Sequence, residues 1–290
     1  MNPRHIALGV LVAVIWGVGF VANKTALESF SPSQLLALRF LISSIPVLFL
    51  PPPAVPWSVL IPIGLTLFAA QFLFQFLGLT HGMPVGLSAI AVQTQAVFTV
   101  VLAALLLHEW PTRRELVGIA AGVTGLALIA ATIGSDLSVL GFALTMVSPV
   151  VFAVGNILLK RVHGVDMLSL TVWLCLVPPL PALVLSMIVD GPFDLARALL
   201  NASWPSWAAI LYVSVLSTIL AYAIWGDLLR RYSAAAVAPF ALLVPFVGAI
   251  ASALILGERF GPLRLAGMAC VLLGLTIIVL PRSAPRIPPA

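Results

Sequence analysis

The residues best suited to chemistry in this chain are polar and aromatic side chains set at helical spacing inside apolar runs. Trp16, Phe20, Asn23, Lys24 and Leu27 recur at steps of three and four, which puts them on one helix face. Gln71 and Gln75 stack at i, i+4; Ser88, Gln95 and Thr99 share a face, and Gln93 points largely away from it. Ser148, Phe152 and Asn156 align, as do Ser214, Thr218, Tyr222 and Trp225. Amides and hydroxyls bind by hydrogen bonding, and Trp16, Tyr222 and Trp225 offer ring faces for stacking. This is chemistry of binding. No H-E-x-x-H, G-x-S-x-G or paired mid-segment Asp is present, so no catalytic residue is expected.

The acids support the same reading. Glu28, Glu109, Glu115, Asp136, Asp166, Asp190, Asp194, Asp227 and Glu258 all fall between apolar runs or at their ends. A proton relay at membrane depth uses an embedded carboxylate. None is visible, so proton coupling is unsupported and facilitated diffusion stays open. Cys175 and Cys270 lie inside apolar runs without partner spacing, and no metal site, disulfide or cofactor is expected. Lys24 has two readings. It would hold a substrate carboxylate, or it would snorkel to the interface; its place near a span end favours the second. Arg39 carries the same two readings. His81 reads as a loop or gate residue.

The elements that position these residues follow from composition. Of 290 residues, 62% are hydrophobic and 8% charged, about a third of the usual charged share of roughly 25%. Mean hydropathy is +1.19. A soluble domain cannot hide that much apolar surface. Ten runs approach the roughly 20 residues a spanning helix needs, near 6–27, 35–50, 57–80, 85–107, 115–133, 139–160, 167–189, 207–229, 234–256 and 262–281. The second is short and ends in Pro51-Pro52-Pro53. The first run is longer than a signal core and reads as a span. The expected fold is an all-α integral membrane protein.

Charge then sets orientation. The net charge is +5 and the pI near 9.9, yet no basic stripe suggests a nucleic-acid partner. Arg4, Arg113, Arg114, Lys160, Arg161, Arg230, Arg231, Arg282 and Arg286 share the side of the termini. Lys24, Arg39, Arg197, Arg259 and Arg264 form the remainder. This bias places both termini in the cytoplasm. Trp57, Trp204 and Trp207 suit interfacial belts.

The chain repeats itself. Leu107-His108-Glu109 with Gly118 and Gly125 returns as Leu256-Gly257-Glu258 with Gly267 and Gly274, at a constant shift of 149. Ala22-Asn23 returns as Gly155-Asn156 at a shift of 133. Residues 1–134 and 135–290 then hold five spans each, and an odd number forces the halves into opposite orientations. The expectation is ten transmembrane helices in two inverted repeats. Gly118, Gly122 and Gly125 suit close helix packing. Glu109 and Glu258 each precede a helix, whose positive end a carboxylate complements. Prolines such as Pro62, Pro149, Pro239 and Pro245 read as hinges or static kinks.

Trp16-Gly17, Leu256-Gly257-Glu258-Arg259, the weaker Leu107-His108-Glu109, and Pro245 thirteen residues before Glu258 carry a resemblance. The chain resembles the drug/metabolite transporter superfamily of the EamA type, and within it the bacterial exporters of aromatic and other neutral amino acids. It departs where Ala96 replaces the first-half proline and where Ser148-Pro149 stands in place of a Trp. The resemblance implies a multi-pass protein of the bacterial inner membrane, exporting its cargo. The residues themselves predict a midplane cavity formed by Trp16, Phe20, Asn23, Lys24, Gln71, Gln75, Gln95, Asn156, Tyr222 and Trp225. Scarce embedded cations favour a small neutral or zwitterionic metabolite such as an amino acid. Rival readings are a same-fold transporter of drugs or other metabolites, and an intramembrane enzyme. Oligomeric state is left open.

Overall fold

A computed structural model describes residues 1–134, 136–162 and 164–279, the side chains of Ala234 and Ala235 excepted. Arg282, Arg286 and the expected end of the last span at 281 lie outside the described residues. Among the described residues every regular element is helical. Ten segments follow in order: α1 (Pro3–Ala26), α2 (Pro32–Leu48), α3 (Trp57–Thr80), α4 (Val85–Leu107), α5 (Arg113–Ala130), α6 (Val139–Leu159), α7 (Met167–Val189), α8 (Trp204–Arg231), α9 (Ala236–Leu256) and α10 (Pro262–Val279). Eight are long and apolar enough to cross a membrane. α2 is shorter, and α5 starts with Arg113, Arg114 and Glu115 in a Thr112 capping box. The 190–206 connection, expected as loop, contains a short helix, Asp194–Asn201. Its Asp194 accepts from Gln34 Nε2 at 3.0 Å, while Asp190 accepts from Ser31 and Ser33, both at 2.6 Å. These carboxylates tie the loop to the start of α2.

The inverted repeat is visible as contacts that exchange. α5 and α10 are packed face to face. A Cβ on Gly118 would stand 2.8 Å from the Gly274 carbonyl oxygen, and one on Gly125 would stand 2.5 Å from that of Gly267. The shift of 149 turns the first contact into the second. Only glycine permits so close a backbone approach in a helix pair. A pseudo-two-fold axis therefore passes between these helices.

The same symmetry governs the helix breaks. α3 widens to π-helix at Leu65–Ala70, and α8 does so at Tyr212–Leu220, the equivalent place. α4 tightens to 3₁₀ at Val92–Thr94, and α9 is interrupted at residues 242–243. α2 changes to 3₁₀ at Ile45–Leu48, and α7 is interrupted at 175–178. In α3 the cause is local: Pro62 cannot donate a backbone hydrogen bond, and the π segment begins just after it. Irregular backbone at membrane depth is tolerated where it lines a cavity.

The two ends of the bundle differ. At the end away from the termini, the first half of α4 (Val85–Ala91) packs on the second half of α9 (Val244–Leu256). A Cβ on Gly86 would lie 2.5 Å from Ser252 Oγ. At the termini end, the halves Gln95–Leu107 and Ala234–Ala241 share no such packing among the described residues. The central space is closed by α4 and α9 at one end and left unsealed by them at the other.

Candidate functional site: a central cavity with an unpaired arginine

The breaks of α3, α4, α8 and α9 surround one cavity of about 330 Å³. Trp16, Phe20, Asn23, Gln71, Gln75, Gln95, Tyr222 and Trp225 line it. These side chains come from α1, α3, α4 and α8. Trp16 is fixed at the wall by donating its indole N–H to the Ser217 carbonyl at 2.9 Å. Its ring meets Tyr222 and Trp225 with centroids 5.4 and 5.2 Å away. Gly17 beside it gives α9 room, since a Cβ there would sit 2.5 Å from Val247 Cβ. Gln71 Nε2 reaches Gln75 Oε1 at 3.5 Å and Ser148 Oγ at 3.4 Å, long contacts that leave both amides able to exchange partners.

Two of the residues assigned to the cavity from sequence stand outside its wall. Lys24 donates to the Leu79 carbonyl at 3.2 Å, joining α1 to the end of α3. Asn156 donates to Thr99 Oγ1 at 3.2 Å, joining α6 to α4. Each is a helix-to-helix contact.

Other wall residues were not expected there. Gln93 lines the cavity and donates to the Ala241 carbonyl at 3.3 Å. Regular α-geometry turns it away from Gln95, but the 3₁₀ turn at Val92–Thr94 changes the rotation per residue and brings it round. Ser217 lines the wall through the π segment of α8. Thr218 lies behind it, donating to the Val213 carbonyl five residues back at 2.8 Å.

The most consequential addition is Arg39. α2 begins at Pro32, a turn before the apolar run, so Arg39 falls midway along Pro32–Leu48 rather than at an end. It lines the cavity and is 5% exposed. Its guanidinium lies over the Phe72 ring, 4.0 Å from the centroid. One terminal nitrogen donates to Asn23 Oδ1 at 3.4 Å and the other to Thr218 Oγ1 at 3.2 Å, while Nε has no partner. Among the described residues, no Asp or Glu lies on the cavity wall. Arg264, also 5% exposed, is different: it meets the Asp136 carboxylate through both terminal nitrogens, one bond being 2.9 Å, and donates to Thr132 Oγ1 at 3.0 Å. A buried ion without a counter-ion carries a desolvation cost of several kcal/mol. Among the described residues, Arg39 has no carboxylate within ion-pair distance.

The paired glutamates differ from expectation. Glu258 does not cap its own following helix. Its carboxylate accepts from the Val85 N–H at 2.6 Å and the Gly86 N–H at 2.9 Å, capping α4 across the repeat boundary. Glu109, its symmetry mate, instead pairs with Lys160 at 2.5 Å on an exposed surface.

An all-helical bundle of inverted halves around a polar, aromatic, membrane-depth cavity defines a multi-pass carrier of small molecules. The chain belongs to the EamA-like transporter family, whose model matches residues 4–131 and 139–280. It is 39% identical over 286 residues to a probable amino-acid metabolite efflux pump of Salmonella typhimurium, covering 96% of each chain. It is 37% identical to a protein of the same description in Escherichia coli K12, again covering 96% of each. A probable terminal-alkyne amino-acid exporter of Streptantibioticus cattleyicolor is 26% identical, with 93% of this chain and 91% of that one covered. One solved crystal structure superposes with a TM-score of 0.62 at 16% identity, over 96% of each chain; at that identity the likeness speaks for the fold alone.

Proposed function

We propose that this protein carries neutral amino acids and related metabolites out of the cell, with the central cavity as the substrate site. The observation that carries this reading is the lining. Aromatic faces at Trp16, Phe20, Tyr222 and Trp225 suit an apolar side chain. Amides at Asn23, Gln71, Gln75 and Gln95 suit polar backbone groups of the cargo. The names of the 39% and 37% identical relatives support the cargo class. An organic cation is disfavoured, because the wall offers no carboxylate among the described residues to meet it. Lys24 and Asn156, tied up between helices, act in holding the bundle.

The proposed mechanism is alternating access by rocking of the halves 1–134 and 135–290 about the α5–α10 seam. The protein is placed in a bacterial plasma membrane with both termini cytoplasmic, on the Lys/Arg bias. In that orientation the described conformation is unsealed toward the cytoplasm, as an exporter awaiting cargo would be. The role is transport, not enzymatic conversion.

The test is flux of labelled phenylalanine, leucine and other neutral amino acids in proteoliposomes, with and without a pH gradient. Saturable flux that is abolished by Trp225→Ala is expected. Absence of flux for every neutral amino acid would overturn the cargo assignment, and a strict need for the gradient would overturn facilitated diffusion.

A further inference from the structure

We infer that Arg39 is the anchor for a cargo carboxylate, and that this site recognises the acid end of its cargo rather than the amine. This rests on the reading of the cavity as the transport site and goes on to say which group is read there.

Two buried arginines of the same chain make the argument. Arg264 shows how a structural arginine is satisfied here: a carboxylate from Asp136 and a hydroxyl from Thr132 occupy it. Arg39 is equally buried but faces a cavity and has only a 3.4 Å amide contact, a 3.2 Å hydroxyl contact and a free Nε. Its guanidinium plane is held by Phe72, which preorganises the fork for a planar two-oxygen partner. Within membrane depth, such a charge is retained where it serves a substrate or ion. The cavity supplies room for the partner that the protein does not.

The opposite end of the cargo meets different chemistry. Among the described residues, an ammonium group in this cavity finds amide oxygens and ring faces but no acid, and the attraction of a cation to an aromatic face is weaker than a charge-assisted fork. The α-amino group is therefore a tolerated feature, not the recognised one. The substrate class extends to monocarboxylates of similar shape that lack or mask the amine.

Three probes of one shape separate the ends: phenylalanine, 3-phenylpropionate without the amine, and phenethylamine without the acid. Binding to purified protein is followed by tryptophan fluorescence, since Trp16 and Trp225 form the wall. 3-Phenylpropionate is expected to bind within about threefold of phenylalanine. Phenethylamine is expected to bind about 10- to 100-fold more weakly, the range for one charge-assisted contact. Arg39→Gln should remove that same factor for both acids and leave phenethylamine bound at least as well, because a like charge has gone from the wall; that retained binding also shows that the variant is folded. Arg39→Lys, which keeps charge but not the fork, should fall between. Equal binding of phenethylamine and phenylalanine, or undiminished acid binding by Arg39→Gln, would overturn the assignment. The amino-acid reading fails separately: Arg39-dependent flux of 3-phenylpropionate with no amino-acid flux would sink that reading and leave Arg39 in place.

Discussion

The two repeats end their fourth helices in the same way and then diverge. α4 closes with His108 at φ 58° and α9 with Gly257 at φ 70°, and a glutamate follows each. Glu258 reaches across to the Val85 and Gly86 N–H groups and holds the far end shut. Glu109 lies against Lys160, and the termini end is not closed by α4 and α9. Equivalent sequence in unequal contact is what a carrier needs. If each half adopts the other's arrangement, Glu258 is released, Glu109 caps the start of α9, and the open end changes side. In that proposal the glutamates act as alternating latches, with the Glu258 latch formed and the Glu109 latch open in this conformation.

Removing the formed latch gives the largest expected effect. Glu258→Ala leaves two buried backbone donors without a charged acceptor, at about 3 kcal/mol, or roughly 100-fold in the balance of states. In a background with Cys175 and Cys270 replaced, a Ser252→Cys thiol is expected to be shielded when Glu258 is present. In Glu258→Ala it should react at least tenfold faster with a membrane-impermeant maleimide. Equal rates would remove the latch from the account.

The seam should respond alike from both halves. Gly125→Ala and its symmetry mate Gly274→Ala each press a methyl against facing backbone, with Cβ distances of 2.5 Å to the Gly267 and Gly118 carbonyl oxygens. Each is expected to cost about 1–3 kcal/mol, read as lowered thermal stability in detergent. Gly122→Ala should cost clearly less, because its nearest neighbour is the Val97 side chain at 3.1 Å. Unequal effects of Gly125→Ala and Gly274→Ala would break the two-fold description.

A smaller effect belongs to the helix ends. His108 holds a left-handed conformation that its counterpart Gly257 adopts freely. His108→Gly is expected to stabilise the protein by about 1 kcal/mol, seen as a raised Tm. The smallest belongs to Lys160→Gln. Its pair with Glu109 is solvent-exposed, so stability should change by under about 1 kcal/mol.

How far these features are legible in the sequence differs by kind. Span order and repeat symmetry are legible because apolar length and the 149-residue recurrence are properties of the chain itself. Gln71 and Gln75 are legible because the α-helix between them is regular. Gln93 and Ser217 are not, since 3₁₀ and π segments rotate them to the wall. Pro62 announces one such segment, whereas nothing in the pattern of residues 212–220 announces the other. Arg39 is obscured because charges near the start of an apolar run read as end markers. Its signal was Pro32, which begins the helix a turn earlier and moves the arginine to mid-depth. Glu258 caps the start of α4 rather than the helix that follows it, and spacing along the chain cannot reveal a partner in the other half.

The most direct test of exchanging halves is a pair of spin-label distances at symmetry-equivalent sites, with the two native cysteines replaced. One pair sits at the far end, His81 with Arg259, and the other at the termini end, Trp110 with Arg230. All four are exposed. Introducing Glu258→Ala, or saturating wild type with phenylalanine during transport, should lengthen the 81–259 distance and shorten the 110–230 distance together. Movement of both ends in the same direction, or two fixed distances in a protein that transports, would contradict the account.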